Sequence, residues 1–214
     1  MRQDARVRKP WIVGVSGASG TPYARATLRG LAAAGEAVDL VVSRSARLTL
    51  LDETGLAWRD DQQQLAGWLD LPAQEFDVRF WPPADLAAGP SSGSYPASGM
   101  IVVPASTEAV ASIALGLSKD LLQRAAAVTL KERRPLVVVP REMPLARATL
   151  VHLLALHDAG AVVAPASPGF YAGAADASAL ADFVAAKILD AIGVPHDLMR
   201  RWTGQLGAAR AASG

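Results

Sequence analysis

Small and hydroxyl-bearing residues follow a short apolar run near the start of the chain, and they could bind a phosphate. The run Trp11 to Val15 is followed by Ser16-Gly17-Ala18-Ser19-Gly20, and Pro22 then precedes an Ala- and Leu-rich segment. This order is typical of a strand, a small-residue turn and the N-terminus of a helix. Unblocked backbone N–H groups and two hydroxyls at the positive end of a helix dipole favour a bound phosphate. A tight turn without a ligand is the alternative.

The glycine pattern of this turn differs from the common dinucleotide and ATP fingerprints. Ser16 stands where the middle glycine of a dinucleotide site would be, and the second apolar run ends in Ser43-Arg44 instead of an acidic residue. That acidic residue would hold a ribose, and an ATP-type loop would carry Lys followed by Ser or Thr. A mononucleotide monophosphate therefore fits the turn better than NAD or ATP.

Residues of similar chemistry follow the later apolar runs as well. Ser43 follows residues 37–42, Pro104-Ala105-Ser106-Thr107 follows residues 100–103, Arg141-Glu142 follows residues 136–139, and Pro168-Gly169-Phe170-Tyr171 follows residues 161–164. Ligands of open parallel sheets bind beyond the carboxyl ends of the strands. These groups therefore predict one site at one edge of the sheet, although a structural ion pair is an alternative for the two charged residues.

The apolar runs and the segments between them predict the fold class. Five continuous Val- and Ile-rich runs alternate with helical segments at residues 23–34, 43–56, 108–117, 121–134, 144–160 and 177–192. Runs without alternating polar residues are typical of strands buried on both faces of a parallel sheet. The order predicts a single doubly wound, Rossmann-like α/β domain with a mostly parallel sheet flanked by helices. We interpret residues 57–80, which include three successive glutamines, as a variable surface excursion.

Length and composition limit the domain organisation and the class of partner. The 214 residues, 51% of them hydrophobic, predict one domain over residues 11–194, a flexible basic N-terminus over residues 1–10 and a tail over residues 195–214 that ends in disorder. A net charge of +1 gives no support for nucleic-acid binding, and the apolar runs are too short to span a membrane. The absence of cysteine fits the cytoplasm, and the three histidines show no metal-ligand spacing.

Several ordered motifs together resemble the UbiX-type flavin prenyltransferases, whose flavoprotein fold is shared with FMN-dependent cysteine decarboxylases. They are GVSGASG at residues 14–20, ETG at 53–55, SSGS at 91–94, the long block at 104–145, and GAVVAPASPGFY at 160–171. The resemblance implies an enzyme that joins a dimethylallyl group from dimethylallyl monophosphate to N5 and C6 of reduced FMN, without a metal. It also implies delivery of prenylated FMN to a UbiD-type decarboxylase, and a homododecamer with sites between subunits.

The resemblance assigns roles to particular residues. FMN would be held by Gly17, Ala18, Ser19, Ser43, Ser106, Thr107, Glu108, Ala109 and Arg141. The donor phosphate would be held by Lys131, Tyr171 and Lys187, and the catalytic positions near the reaction would be Ser16, Glu53 and Glu142. The rings of Trp81 and Trp202 are further candidates, since an aromatic face can stabilise an allylic cation.

Two substitutions relative to the family pattern affect these roles. Lys187 replaces the usual arginine, which keeps the charge but loses a bidentate fork. Glu108 replaces a common basic residue, and we expect its side chain to face away from a flavin phosphate.

Two other functions are compatible with the fold. A related FMN-dependent decarboxylase would need a catalytic histidine after the first helices and an Asn-containing loop, and neither pattern is found. A non-catalytic flavin carrier, or a subunit that delivers the cofactor to a decarboxylase, is the second alternative. Four residues argue against it, because simple binding does not require an acid beside a phosphate site: Glu53, Arg141, Glu142 and Tyr171.

Overall fold

A computed structural model describes residues 9–170 and 176–202, and in this part of the chain the strands form one sheet between helices. The strands are β1 (Trp11–Val15), β2 (Val38–Val42), β3 (Val78–Phe80), β4 (Gly99–Ala105), β5 (Leu136–Pro140) and β6 (Val162–Val163). The α-helices are α1 (Thr21–Ala33), α2 (Arg44–Thr54), α3 (Gln62–Leu69), α4 (Thr107–Ala114), α5 (Leu121–Lys131), α6 (Arg147–Asp158) and α7 (Ala177–Ile192).

The sheet has the strand order β3-β2-β1-β4-β5-β6, and every neighbouring pair is parallel. The chain moves outward from β1 to β3 in one direction and then returns to place β4 on the other side of β1. Strand order therefore reverses at β1, which opens a crevice beyond the carboxyl ends of the central strands. The predicted doubly wound α/β fold is confirmed.

Both faces of the sheet are buried, which explains the continuous apolar runs. In β1, Val13 packs into one hydrophobic core together with Leu28 of α1, whereas Ile12 packs into the core on the opposite face together with Met100. Successive side chains of a strand point to opposite faces, so each face requires its own apolar residues.

The interpretation of residues 57–80 as a surface excursion was wrong, because this stretch contains α3 and the edge strand β3. Leu65 and Leu69 of α3 are fully buried in the core. Polar side chains of this stretch form hydrogen bonds with backbone groups. Asp61 caps α3 by accepting from the N–H of Gln64 at 2.8 Å, and Gln62 donates to the carbonyl oxygens of Ala73 and Phe76. The sequence predicted five strands and missed β3, because this strand is short and only partly buried.

Helix α7 packs along α1, and a glycine allows the close approach. A Cβ built on Gly30 would lie 2.6 Å from Cδ1 of Leu189 and 3.0 Å from Cδ1 of Leu198, which follows α7. Within the described residues no helix is long and apolar enough to cross a membrane. The predictions for residues 1–8 and 203–214 lie outside the described residues.

Candidate functional site

A cleft of ≈ 330 Å³ lies at the carboxyl edge of the sheet, where strand order reverses. Helices α2, α4 and α5 all begin beside it. Its lining residues are Ser16, Ser43, Arg44, Ser45, Leu48, Ser106, Glu108, Ala109, Asp120, Leu122 and Gln123. The structure thus brings the residues after β1, β2 and β4 into one cleft, as the sequence predicted for this edge.

Two serine caps leave positive helix ends open to the cleft. The Oγ of Ser43 accepts from the N–H of Ala46 at 3.1 Å, and the Oγ of Ser106 accepts from the N–H of Ala109 at 3.2 Å. The N–H groups of the two residues directly after each cap have no acceptor within their own helix. Such paired helix N-termini stabilise an anion, so the cleft fits a phosphate group.

Ser16 joins the turn after β1 to the turn after β4. Its buried hydroxyl donates to the carbonyl oxygen of Pro104 at 2.8 Å and accepts from the N–H of Ser106 at 2.7 Å. The hydroxyl proton is therefore used within the protein, and Ser16 holds Ser106 in place. Its implied place beside the reaction stays a prediction.

Gly17 lies so close to the start of α2 that no side chain would fit at this position. A Cβ at this position would lie 2.5 Å from Cβ of Ser45 and 3.1 Å from the backbone carbonyl carbon of the same residue. Because backbone cannot easily move away, only glycine lets the turn approach the start of α2 this closely. The turn and the N-terminus of α2 therefore form adjacent walls of the cleft.

A carboxylate occupies the N-terminus of α1, and this corrects the prediction that its N–H groups are open to a phosphate. Glu53, near the end of α2, accepts from the N–H of Gly20 and from the N–H of Thr21, both at 2.9 Å. The hydroxyl of Thr21 donates to the same carboxylate at 2.7 Å. The α1 dipole is thus compensated from within the protein, and a phosphate would use the starts of α2 and α4 instead.

The hydrogen bonds to Glu53 favour its ionised form. Burial acts against the charge, but hydrogen bonds from Ser19, Thr21 and the backbone outweigh it and hold the pKa of Glu53 below its usual value. Glu53 is therefore a carboxylate at neutral pH. It can accept a proton but is a poor donor of one.

We expect Glu53→Gln to lower the free energy of unfolding at neutral pH by about 1 kcal/mol, a modest value because the side chain is exposed. The folded pKa is lowered, so the stabilisation is present above the usual glutamate value of 4.5 and is lost as pH falls through the folded pKa. Urea unfolding of wild type and variant, from neutral pH down through the folded pKa of Glu53, measures how the difference in stability changes with pH. Asp52→Asn, on the same exposed helix turn, is the control, and a pH-independent difference would contradict the assignment.

Arg141 reaches from the end of β5 to the turn after β1. Its Nε donates to the carbonyl oxygen of Ser19 at 2.9 Å. The adjacent Glu142 is exposed, and among the described residues it accepts a single hydrogen bond, from the N–H of Met143 at 3.0 Å. The charged pair is therefore not an internal ion pair, and both side chains stand at the carboxyl edge of the sheet.

The residues implied for the donor phosphate do not meet in this cleft. Lys131 is the last residue of α5, about 14 Å along the helix axis from the cleft-lining Leu122. It lies beside Gly93 of the SSGS motif and pairs with Glu132. Lys187, on α7, is also absent from the cleft lining, and Tyr171 lies outside the described residues.

Three further expectations about side chains need correction or completion. Glu108, the second residue of α4, is among the residues that line the cleft, and the direction of its side chain relative to a flavin phosphate stays a prediction. Trp81 is not free to face a substrate, because Arg79 lies 5.5 Å from its ring centroid and Tyr95 packs edge-on at 6.4 Å. Trp202 is 58% exposed.

Sequence reasoning missed several residues that line the cleft. Arg44, Ser45, Leu48, Asp120, Leu122 and Gln123 were not identified as site residues. Asp120 caps α5 by accepting from the N–H of Gln123 at 2.8 Å. The Asp-x-x-Gln spacing is typical of a helix N-terminus and is the signal that could have found this wall.

The fold and the cleft define a class of protein, the doubly wound α/β proteins, whose ligands bind where the strand order reverses. A model of the Flavoprotein family matches residues 2–189. The chain is also 65% identical to a "Flavin prenyltransferase UbiX" of Streptomyces coelicolor, in a match that covers 94% of this chain and 98% of that protein. The chain belongs to the Flavoprotein family and, within it, to the UbiX flavin prenyltransferases, as the sequence motifs predicted.

Solved structures agree with this assignment. AnUbiX, crystallised with FMN and dimethylallyl pyrophosphate, is 34% identical with a TM-score of 0.82, and the match covers 93% of this chain and 100% of that one. A dodecameric FMN-dependent UbiX-like decarboxylase from Escherichia coli O157:H7 is 38% identical with a TM-score of 0.80, covering 91% of this chain and 100% of that one. The prediction that the chain is an enzyme of the prenyltransferase class is confirmed.

Proposed function

We propose that this protein joins the dimethylallyl group of dimethylallyl monophosphate to N5 and C6 of reduced FMN and releases prenylated FMN for a UbiD-type decarboxylase. The observation that carries the proposal is the cleft in which the serine-capped starts of α2 and α4 meet beside the Gly17 turn. Membership of the UbiX family supports the choice of flavin and of donor.

The donor set of the cleft fits FMN. Open N–H groups after Ser43 and Ser106 would hold the flavin phosphate, and Arg44 adds a positive charge in the same lining. Arg141, fixed to the Ser19 carbonyl, would contact the flavin from the β5 side. When bound, reduced FMN supplies the nucleophilic nitrogen and carbon that take the dimethylallyl group.

The residues around the donor would have two tasks. As the carbon–oxygen bond of the donor breaks, negative charge grows on the leaving phosphate, and cationic side chains stabilise it. Lys131, Lys187 and Tyr171 would act there, and Arg141 lies near the edge of the same site. A carboxylate must also move a proton, and Glu142 is the better candidate because both oxygens of Glu53 already accept hydrogen bonds from the N–H groups of Gly20 and Thr21.

Residues from two neighbouring subunits would together form one active site. Lys131 stands far from the cleft of its own chain, so we propose that it serves the cleft of a neighbouring copy in a homododecamer. An apolar surface supports self-association: on α6, Leu150 is 52% exposed, Val151 47% and Leu154 60%, and the nearby loop residue Met143 is 86% exposed. An apolar patch of this kind marks an interaction site.

Mass spectrometry of the flavin tests the proposed reaction. The purified chain is incubated anaerobically with reduced FMN and dimethylallyl monophosphate, and the extracted flavin is expected to be heavier by one isoprene unit. A parallel incubation with the diphosphate identifies the preferred donor. Product added to an apo UbiD-type decarboxylase is expected to restore decarboxylation.

Other outcomes would support the alternatives. A flavin mass unchanged with both donors contradicts the transferase. Release of carbon dioxide from a carboxylic acid by the FMN-loaded chain, without a prenyl donor, would favour a decarboxylase. FMN that binds and is released unchanged in every incubation would favour a carrier. The absence of cysteine fits a reducing compartment, and we propose the cytoplasm as the place of the reaction.

A further inference from the structure

Asp190, near the end of α7, is the centre of a charged cluster that the reaction described above does not use. Its Oδ1 lies 2.9 Å from a guanidinium nitrogen of Arg201 and 3.1 Å from Nε2 of His196. Its Oδ2 lies 3.3 Å from the second guanidinium nitrogen of Arg201 and 3.6 Å from Nζ of Lys187. One carboxylate therefore joins α7 to the segment that follows it.

This cluster holds residues 195–202 against the protein although they form neither helix nor strand. The side chain of His196 is only 3% exposed, and its Nδ1 accepts from the N–H of Leu198 at 3.3 Å. Leu198 in turn packs on α1 at Gly30. The segment has both a polar and an apolar attachment, so its path along α7 is fixed.

The two cations that share Asp190 are held unequally. Arg201 contacts both carboxylate oxygens, whereas Lys187 contacts one oxygen at a longer distance and its side chain is 54% exposed. A guanidinium forms the stronger and more directional pair with a carboxylate. The hydrogen bond from Arg201 also lowers the pKa of Asp190, so the carboxylate remains charged. One carboxylate is thus shared by a guanidinium and an ammonium, and within the described residues the ammonium of Lys187 makes no other hydrogen bond or ion pair.

We propose that Arg201 and Asp190 are positioning residues which keep Lys187 available for the phosphate of the prenyl donor. Asp190 limits the range of the Lys187 side chain through the contact one helical turn away, and Arg201 prevents that contact from closing into a full ion pair. The inference rests on the proposed function, because it takes Lys187 to be the residue that binds this phosphate.

Loss of Arg201 and loss of both partners have different consequences in this arrangement. In Arg201→Gln, Lys187 would close onto Asp190, since spacing of three residues on a helix allows the pair. Its charge would then be neutralised, and donor affinity would fall. In the double variant Asp190→Asn with Arg201→Gln, no carboxylate competes for Lys187, and part of the affinity would return.

Donor KM, kcat and FMN affinity are to be measured for the assembled protein and its variants. We expect Arg201→Gln to raise the donor KM by about twofold, the fold-change that corresponds to one exposed ion pair at this helical spacing, while kcat and FMN affinity change little. Arg201→Lys is expected to retain most of the wild-type KM. The double variant is expected to lie between the single variant and the wild type. Arg200→Gln, an exposed neighbour outside the cluster, is the matched control.

Several outcomes overturn the inference. An unchanged KM in Arg201→Gln contradicts it, and so does a double variant that is no better than the single one, because a merely structural clamp predicts that result. Calorimetric binding of dimethylallyl monophosphate to the FMN-loaded protein separates this inference from the proposed reaction. If the affinities follow the expected order without turnover in the wild type, the reaction is wrong and the positioning role stands. Absence of binding in the wild type overturns the positioning role.

Discussion

Replacing Glu142 by glutamine is expected to slow prenyl transfer by about a hundredfold or more, while FMN affinity stays unchanged. The carboxylate stands exposed at the carboxyl edge of the sheet, next to Arg141, and among the described residues its single partner is the N–H of Met143. In the proposed reaction it would exchange a proton with the leaving phosphate or with the position that loses one. An amide keeps the shape of the side chain but cannot transfer that proton. Single-turnover assays with reduced FMN and saturating donor measure the effect.

The controls for this variant separate chemistry from binding. FMN titration of Glu142→Gln is expected to match the wild type, because no described contact of Glu142 supports the cleft. Glu36→Gln makes the same chemical change between α1 and β2, at the opposite edge of the sheet, and is expected to turn over normally. Unaltered turnover in Glu142→Gln would exclude a role of this residue in proton transfer and would leave Glu53 as the candidate carboxylate.

Replacing Gly17 by alanine is expected to weaken FMN binding by about tenfold to a hundredfold, because the new methyl group cannot fit. Its carbon would lie 2.5 Å from Cβ of Ser45 and 3.1 Å from backbone, so the turn or the start of α2 must move. Overpacking of this kind also costs about 1–3 kcal/mol of stability. Both walls of the cleft would shift relative to each other. Calorimetric FMN titration and thermal unfolding measure the two effects.

The same substitution at a glycine in open space provides the control. Gly67 lies in α3, no atom is within 4 Å of an added Cβ, and alanine is the better helix former. Gly67→Ala is expected to bind FMN normally and to be as stable as the wild type or slightly more so. Equal FMN affinity in Gly17→Ala and Gly67→Ala would show that the close approach of the turn to α2 does not shape the site.

Periodicity and residue order alone predicted much of the fold. Continuous apolar runs such as residues 100–103 are typical of strands with two buried faces, and the small and charged residues after each run mark the edge where ligands bind. Ser43 and Ser106 were therefore placed at this edge without any structure, and both line the cleft there. The prediction for residues 57–80 was wrong because the buried leucines of α3 lie next to three glutamines and because β3 is only three residues long.

Contacts between distant residues were decided by the tertiary structure. Nothing in the sequence shows that Glu53 lies against the N–H groups of Gly20 and Thr21, so the opening turn was taken for the phosphate-binding helix start. Packing of α2 beside α1 brings that carboxylate into place, whereas the starts of α2 and α4 line the cleft. Hydrophobic periodicity is a local property that the sequence carries, whereas the pairing of charges and helix ends depends on which elements pack together.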